Sequence, residues 1–383
     1  LEARVGELEA TQFSTTTKLK GQADFFVGAV SYEDRDDCNT AKAGACEDDA
    51  TSFSYRYTLN LNTTFSGKDL LYTRIRSGNM NNAWTQDNSY LSDAKSGSDN
   101  SLKVDKLWYT FPVGEEFQVT VGALIENYYM VETPTRYKPI LKAFKLGGYG
   151  VLMGASTGQG AGIKWRQNVA PGEAAWNAAV SYVADGNEGA SSSSKKGLFG
   201  EDSDGLFLSQ IGYGNRKWYI SGLYAHKQGE GGSDPAEGYS TPAVNKDDAA
   251  LNAFGIRGYW SPEESGVIPT ISAGVDFGFN DAEAAGQVEE SFGWMVGLNW
   301  KDAFIDGNKL GVAFGSYSSY ATEMKGDSDP EDENFAIEAF YDFKVSDNVT
   351  VTPAIFWIED ADGAASVDGS NRLGGLVKTT FKF

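Results

Sequence analysis

The chain has 383 residues and a formal net charge of −21, and it lacks any apolar run near the roughly 20 residues that a transmembrane helix needs. The acidic charge argues against nucleic acid as a partner, because binding to phosphate groups requires a basic surface. Aromatic residues make up 13% of the chain, with 45 glycines and only 10 prolines, which favours many strands joined by tight turns.

The first 17 residues carry a pattern that differs from the rest of the chain. Leu1, Val5 and Leu8 recur at spacings of four and three, with charged residues between them, which fits the end of a coiled coil. A solvated helical tail explains so short a pattern equally well. We therefore predict two regions: residues 1–17 as the end of a coiled coil or a periplasmic linker of a longer protein, and residues 18–383 as one β domain.

From Lys18 onward, apolar or small residues alternate with polar ones, which is the pattern of strands with one apolar and one wet face. Between Phe53 and Leu61, for example, aromatic residues and leucines take every second position. We predict sixteen such strands, most of them long enough to cross a bilayer at a tilt. Their ranges are 18–31, 53–66, 68–77, 102–113, 116–126, 160–168, 174–183, 205–214, 216–227, 250–261, 268–279, 289–301, 308–319, 333–344, 348–359 and 373–383.

The connections between these strands are alternately short and long. Turns such as 114–115 and 345–347 alternate with long polar stretches such as 78–101. Short periplasmic turns, long outer loops and an even strand number are typical of bacterial outer-membrane barrels. We therefore predict the all-β class and a 16-stranded antiparallel transmembrane β-barrel, in contact with outer-membrane lipid. A soluble sandwich is the alternative, but its apolar faces would need a partner sheet.

The stretch 126–159 is the longest interval between predicted strands, and it is not a plain polar linker. It contains apolar residues such as Leu141 and Phe144 together with several basic residues. A structureless segment of this length is uncommon in a compact domain unless it is functional. We predict that this third outer loop folds inward and narrows a pore, with Leu141 and Phe144 on the inner wall. Its basic residues, Arg136, Lys138, Lys142 and Lys145, then face the channel.

Basic residues on the wet face of the strands should point into the water-filled lumen, where charges at the narrowest level set selectivity. Opposing acids are Glu126, Glu132 and Asp24. Lys103 and Lys106 lie three positions apart on one predicted strand. Because successive side chains of a strand point to opposite faces, at most one of the two should face the lumen. For each basic residue, a solvated side chain without a strong effect is the alternative. The predicted lumen set is Arg56, Arg74, Arg76, Lys164, Arg166 and Arg257.

Catalytic, cofactor and metal sites have little support in this sequence. His226 is the only histidine, so a multi-histidine zinc site is impossible and a Ser–His–Asp triad would have to use it. Cys38 and Cys46 are interpreted as a disulfide rather than as two free thiols. The acidic stretches 32–52 and 320–332 are interpreted as a solvated rim that attracts cations, with bridging of divalent cations or adaptation to saline water as alternatives.

Three segments carry a family resemblance. The opening LEARVGELEATQFSTTTKLKGQ, the segment ILKAFKLGGYGVLMGASTGQGAGIKW and the ending LGGLVKTTFKF resemble cyanobacterial outer-membrane porins of the iron uptake type, relatives of the carbohydrate-selective porin family. The resemblance implies a homotrimer in the outer membrane of a Gram-negative, cyanobacterial cell. It also implies a preceding S-layer-homology domain that binds cell-wall polymer, absent from this chain, and a narrow pore that passes mainly inorganic ions.

Together these observations predict a porin for passive diffusion of inorganic ions and very small solutes, without a cofactor and without enzyme activity. Two alternatives stay open within the same fold. One is a barrel that mainly anchors the outer membrane to the cell wall, and the other is a wider carbohydrate-selective porin. A barrel enzyme such as a lipase would depend on His226.

Overall fold

A computed structural model gives the fold of this chain and describes most of its residues. Cys38, Cys46 and residues 1–15 lie outside the described residues, so the disulfide and the coiled-coil end stay predictions. The described residues are 16–32, 50–80, 84, 90–95, 100–153, 157–184, 186, 188–193, 195–200, 203, 205–228, 250–264, 266–282, 285, 287–317, 319–326, 333–359 and 371–383.

The described strands form a single antiparallel sheet that closes on itself. The first and last strands pair, with Gln22 opposite Lys382 and Val27 opposite Val377, so the sheet is a barrel without free edges. The strands are β1 Thr17–Tyr32, β2 Ser52–Thr63, β3 Leu70–Gly78, β4 Lys103–Val113, β5 Phe117–Ile125, β6 Gly158–Arg166, β7 Ala175–Ala184, β8 Gly205–Gly214, β9 Trp218–Gln228, β10 Leu251–Trp260, β11 Thr270–Asn280, β12 Val288–Lys301, β13 Lys309–Gly315, β14 Tyr320–Met324, β15 Phe335–Lys344, β16 Val349–Glu359 and β17 Arg372–Lys382.

Strands β13 and β14 are two parts of one crossing, because both pair with β12. Ser316 interrupts the crossing. Its backbone N–H donates to the carbonyl of Trp294 at 2.9 Å, and its hydroxyl accepts from the N–H of Trp294 at 2.9 Å. The barrel therefore has sixteen crossings, which confirms the predicted strand number.

The two faces of the barrel wall differ as the alternation predicts. Phe25 is 41% and Val27 is 45% exposed on the outer face, whereas Asp24 and Phe26 between them are buried on the inner face. The same alternation of exposed and buried residues recurs on β10 and β17. An apolar outer band around a polar interior is the arrangement that a barrel in a lipid bilayer requires.

The short turns lie at one end of the barrel and the long loops at the other. β1 starts and β17 ends at the short-turn end. There the N–H of Thr64 donates to the carbonyl of Thr16 at 3.0 Å, and the N–H of Gly21 donates to the carbonyl of Phe383 at 2.7 Å. In the described part of the chain, helix is confined to four short pieces at 127–129, 142–147, 150–153 and 188–190. None of these is long and apolar enough to cross a membrane.

Candidate functional site

The third loop, residues 126–157 between β5 and β6, packs against the inner face of the barrel wall on two sides. Leu141 and Phe144 are fully buried in a cluster that includes Met295 and Phe340 of the wall. Further along the loop, a second cluster joins the loop to strands β7 to β10. Its members include Tyr149, Val151, Leu152 and Met153 from the loop and Leu206, Leu208, Leu223, Ala225, Leu251 and Ala253 from the wall.

A buried carboxylate of the wall binds the backbone of the third loop. Glu338 on β15 accepts hydrogen bonds from the N–H of Leu141 at 2.6 Å, the N–H of Ile140 at 3.0 Å and the hydroxyl of Tyr137 at 2.8 Å. Its neighbour Ile337 is 40% exposed on the outer face. Buried N–H groups need such acceptors, so Glu338 replaces the water that the loop backbone loses on entering the lumen.

Arg257, predicted to line the lumen, faces inward but is covered by the third loop. Its guanidinium lies 2.6 Å from the carboxylate of Asp276 and donates to the carbonyl of Leu146 at 3.0 Å, and only 1% of the residue is exposed. An ion in an open channel has no access to such a side chain. The placement of Arg257 among channel-lining residues is therefore wrong, because sequence alternation identifies the face and not what covers it.

The turn of the third loop reaches the short-turn end of the barrel. Arg136 stacks on the ring of Tyr259 at 4.6 Å and donates to the carbonyl of Arg216, in a short turn, at 3.3 Å. Glu132 lies 3.4 Å from Lys164 and 3.5 Å from Arg166. Four residues predicted for the pore thus lie near the short-turn end, namely Arg136, Glu132, Lys164 and Arg166. A fifth predicted residue, Lys138, is exposed.

Part of a second loop, between β3 and β4, also lies inside the barrel, which the sequence did not lead us to expect. The described residues of this loop are 79–80, 84, 90–95 and 100–102. Leu91 forms a β-bridge with Leu141 of the third loop. The N–H of Ser92 donates to Ile140 at 2.7 Å, and the N–H of Lys142 donates to Tyr90 at 2.8 Å. The two loops therefore form one hydrogen-bonded layer across the lumen. The buried Met80 and Trp84, in an otherwise polar stretch, are the signal that could have shown it.

A cluster of four charges holds the second loop at the seam of the barrel. Asp93 of the loop lies 2.8 Å from Arg56 of β2 and 2.9 Å from Lys378 of β17. Arg56 also lies 2.6 Å from Asp24 of β1. Two carboxylates and two cations balance in this cluster, so Arg56 and Asp24, both predicted for the lumen, stabilise the loop and the seam.

Strands β3 and β4 present basic residues to the remaining lumen. Asp105 lies 2.8 Å from Arg74 and 3.7 Å from Arg76. A β-bulge at this point shifts the register, so that Lys106 pairs with Arg74 and Lys103 pairs with Arg76. Because paired residues share a face, Lys103 and Lys106 lie on the same side of the sheet. The expectation that at most one of them faces the lumen is therefore wrong.

Aromatic rings and basic side chains of the third loop face these strands. The ammonium of Lys145 lies 4.3 Å from the ring centre of Tyr128 and donates to its hydroxyl at 3.1 Å. Lys142 lies 4.5 Å from the ring centre of Tyr90 and 4.8 Å from that of Tyr149. Aromatic rings attract cations at such distances, so the rings help to hold the two lysines in place.

Glu126 connects the wall and the loop electrostatically. Its carboxylate lies 3.0 Å from Lys106 and accepts from the hydroxyl of Tyr128 at 2.6 Å. Burial raises the pKa of Glu126, but Lys106, Lys145 and Lys142 outweigh it and lower the pKa to about 2. Burial also lowers the pKa of Lys145 to about 8, against the attraction of Glu126 and Asp93. Within the described residues, no three His, Cys, Asp or Glu side chains group as a metal site.

Comparison with known proteins identifies relatives over the whole chain. A family profile described as carbohydrate-selective porin, OprB family, matches residues 1–383. An uncharacterised protein of Nostoc is 28% identical, covering 100% of this chain and 68% of the relative. An uncharacterised protein of Synechocystis is 26% identical, covering 100% of this chain and 72% of the relative.

Solved structures with the same fold are outer-membrane proteins. Pseudomonas putida OprB superimposes with a TM-score of 0.64 at 12% identity, over 100% of this chain and 96% of that one. Salmonella typhi OmpF, in complex with daunomycin, gives 0.57 at 12% identity, over 96% of this chain and 97% of that one. The trimer form of Vibrio cholerae OmpT gives 0.57 at 11% identity, over 96% of this chain and 100% of that one.

Proposed function

Because the chain belongs to the OprB family of carbohydrate-selective porins and is an outer-membrane barrel, we propose that it is a passive channel for inorganic ions and very small solutes. Its family and its fold support a channel. The association with iron rests on the sequence resemblance alone, so the proposal does not include iron as a cargo.

One observation carries the proposal of a narrow pore: two loops, not one, occupy the lumen and bond to each other. The bridge between Leu91 and Leu141 closes the space between the loops, and wall clusters on two sides fix the third loop. A barrel of sixteen strands encloses an aqueous channel when its lumen is open. Here the third loop packs on the wall on two sides, and the second loop binds β2 and β17. We infer that the lumen left open is too narrow for a hydrated sugar.

The proposal is tested with purified protein in two assays. In planar bilayers we expect stepwise conductance increments in potassium chloride. In liposome swelling we expect fast entry of salts and slow or no entry of glucose and sucrose. Failure to produce any stepwise conductance from pure, folded protein would overturn the channel itself.

The wider carbohydrate-selective porin is the second candidate, and one feature favours it. Tyr90 and Tyr128, both partly exposed, lie beside the loop lysines, and aromatic rings with an apolar face and a polar edge suit sugar rings. Rapid swelling in glucose, together with a conductance that glucose reduces, would select this candidate over the ion channel.

We also propose that the chain assembles as a homotrimer, as the resemblance implies. The structural relative OmpT is described as a trimer form. Cross-linking and light scattering of the detergent-solubilised protein test this assembly. A role in anchoring the envelope to cell-wall polymer would lie in a preceding domain, and pull-down with purified cell wall, with and without that domain, tests that role.

A further inference from the structure

The charge at the constriction is opposite in sign to the charge of the whole protein. The chain carries −21. Beside the third loop, among the described residues, seven cationic side chains face two carboxylates, a local balance of +5. The cations are Arg74, Arg76, Lys95, Lys103, Lys106, Lys142 and Lys145, and the carboxylates are Asp105 and Glu126.

Both of these carboxylates are already bound. Asp105 is shared by Arg74 and Arg76, and Glu126 is bound by Lys106 and by the hydroxyl of Tyr128. The nearby cluster of Asp24, Asp93, Arg56 and Lys378 balances internally. Arg74 and Lys106 are themselves buried. The positive charge that an ion in the lumen can reach therefore lies with the other five cations, which are partly or fully exposed and include Arg76, Lys95 and Lys145.

The basic side chains of wall and loop are connected through aromatic residues. Arg74 donates to the hydroxyl of Tyr129 at 3.3 Å, the rings of Tyr128 and Tyr129 lie 4.5 Å apart, and Lys145 lies over Tyr128. Arg74 and Arg76 contribute to the lowered pKa of Lys145, after burial, as neighbouring positive charges do. Wall and loop cations thus border the same space.

A second basic level follows toward the short-turn end. Lys164 and Arg166 share the carboxylate of Glu132 there, and Arg136 binds the carbonyl of Arg216. An anion that leaves the first level therefore meets a second one before it reaches the barrel exit. Several weak sites in series allow an ion both to enter and to leave a channel.

We propose that the constriction selects inorganic anions and holds a small oxyanion between Arg76 on the wall and Lys145 on the third loop. The inference rests on the proposed function, since it requires an open channel. The planar guanidinium of an arginine matches the oxygens of phosphate or sulfate, and an ammonium adds a strong single donor. Chloride passes through the same site but lacks the geometry to be held as long.

The test measures the chloride-to-potassium permeability ratio of the full chain in planar bilayers under a salt gradient. We expect a ratio above one, and we expect added inorganic phosphate to reduce the chloride conductance. Arg76→Gln and Lys145→Gln should each lower the ratio roughly sevenfold, because one charge about 7 Å from an ion in water-like surroundings changes the chloride and potassium permeabilities about threefold each, in opposite directions. Lys68→Gln, in the exposed turn between β2 and β3, is the matched control.

The outcomes separate the two proposals. Absence of conductance overturns the porin function, whereas normal conductance with a ratio of one or less overturns only the anion selectivity. A ratio above one that neither variant changes overturns the site at Arg76 and Lys145. Chloride conductance that is indifferent to phosphate overturns the oxyanion site. A heat-dependent shift on gels verifies that each variant is folded, and the wild-type measurements decide the matter even if one variant fails to fold.

Discussion

Glu338, on the inner face of β15, accepts a hydrogen bond of 2.6 Å from the backbone N–H of Leu141 in the third loop. The same carboxylate accepts from Ile140 and Tyr137. One side chain of the barrel wall therefore binds three donors of the loop at the point where the second loop pairs with it through Leu91. The position of both loops depends on this carboxylate.

We expect Glu338→Gln to loosen the third loop. The amide offers one acceptor oxygen where the carboxylate offers two, so at least one buried N–H loses its partner at a cost of about 1–3 kcal/mol. Single-channel recordings should then show larger and noisier conductance steps. Glu115→Gln, in an exposed turn, is the control. A conductance distribution that matches the control would mean that the apolar clusters alone hold the loop.

Gly274 and Gly222 offer a matched pair of steric tests. A Cβ atom at Gly274 would lie 1.8 Å from the carbonyl oxygen of Gly147 in the third loop, whereas one at Gly222 would meet no atom within 4 Å. Both glycines lie within strands, so each alanine variant loses a similar amount of backbone conformational freedom in the unfolded chain. Gly274→Ala should displace the loop, cost about 1–3 kcal/mol of stability and change the conductance, and Gly222→Ala should do neither. Equal behaviour of the two variants would contradict the close approach of loop and wall.

The seam between the first and last strands should depend on Asp24. This buried carboxylate lies 2.6 Å from Arg56 and accepts from Thr380 at 2.6 Å, so it joins β1, β2 and β17. Removing one partner of a buried ion pair costs about 3 kcal/mol, and less here because Arg56 keeps Asp93. We expect Asp24→Asn to unfold at a lower temperature on heated gels than wild type. Asp306→Asn, in an exposed turn, should match wild type, and equal unfolding of both variants would argue against a structural role for the pair.

The sequence predicts the barrel well because each strand must alternate to separate lipid from water. The range 205–214 matches β8, Gly205–Gly214, at both ends, and 18–31 differs from β1 by one residue at each end. The interruption at Ser316 is not predicted from the sequence. The hydroxyl of Ser316 accepts a hydrogen bond from the backbone N–H of Trp294 on the neighbouring strand, and the residues around it keep the alternation of apolar and polar positions.

The interior is predicted less well, because alternation identifies a face but not what covers it. Arg257 is on the predicted face, yet the third loop buries it. Lys103 and Lys106 share a face only because a β-bulge adds one residue between them. The second loop is polar in composition, and its entry into the lumen depends on a few apolar residues and on Asp93, whose partners lie far away in sequence.

Lys145 should give the selectivity of the channel a pH dependence near pH 8. Burial lowers the pKa of Lys145 to about 8, and Arg76 and Arg74 lower it while Glu126 and Asp93 act in the opposite direction. An unperturbed lysine has a pKa near 10.4. The ammonium is therefore charged below pH 8 and increasingly neutral above it, whereas the arginines stay charged throughout.

The chloride-to-potassium permeability ratio should consequently fall between pH 7 and pH 9, with its midpoint near the pKa of Lys145, about 8. The measurement is the permeability ratio in planar bilayers at half-unit steps of pH. Lys145→Arg keeps the positive charge across this range, so its ratio should stay constant. Lys68→Arg, in the exposed turn between β2 and β3, should retain the fall. If Lys145→Arg shows the same fall as wild type, another group titrates in the channel, and the lowered pKa of Lys145 does not control its selectivity.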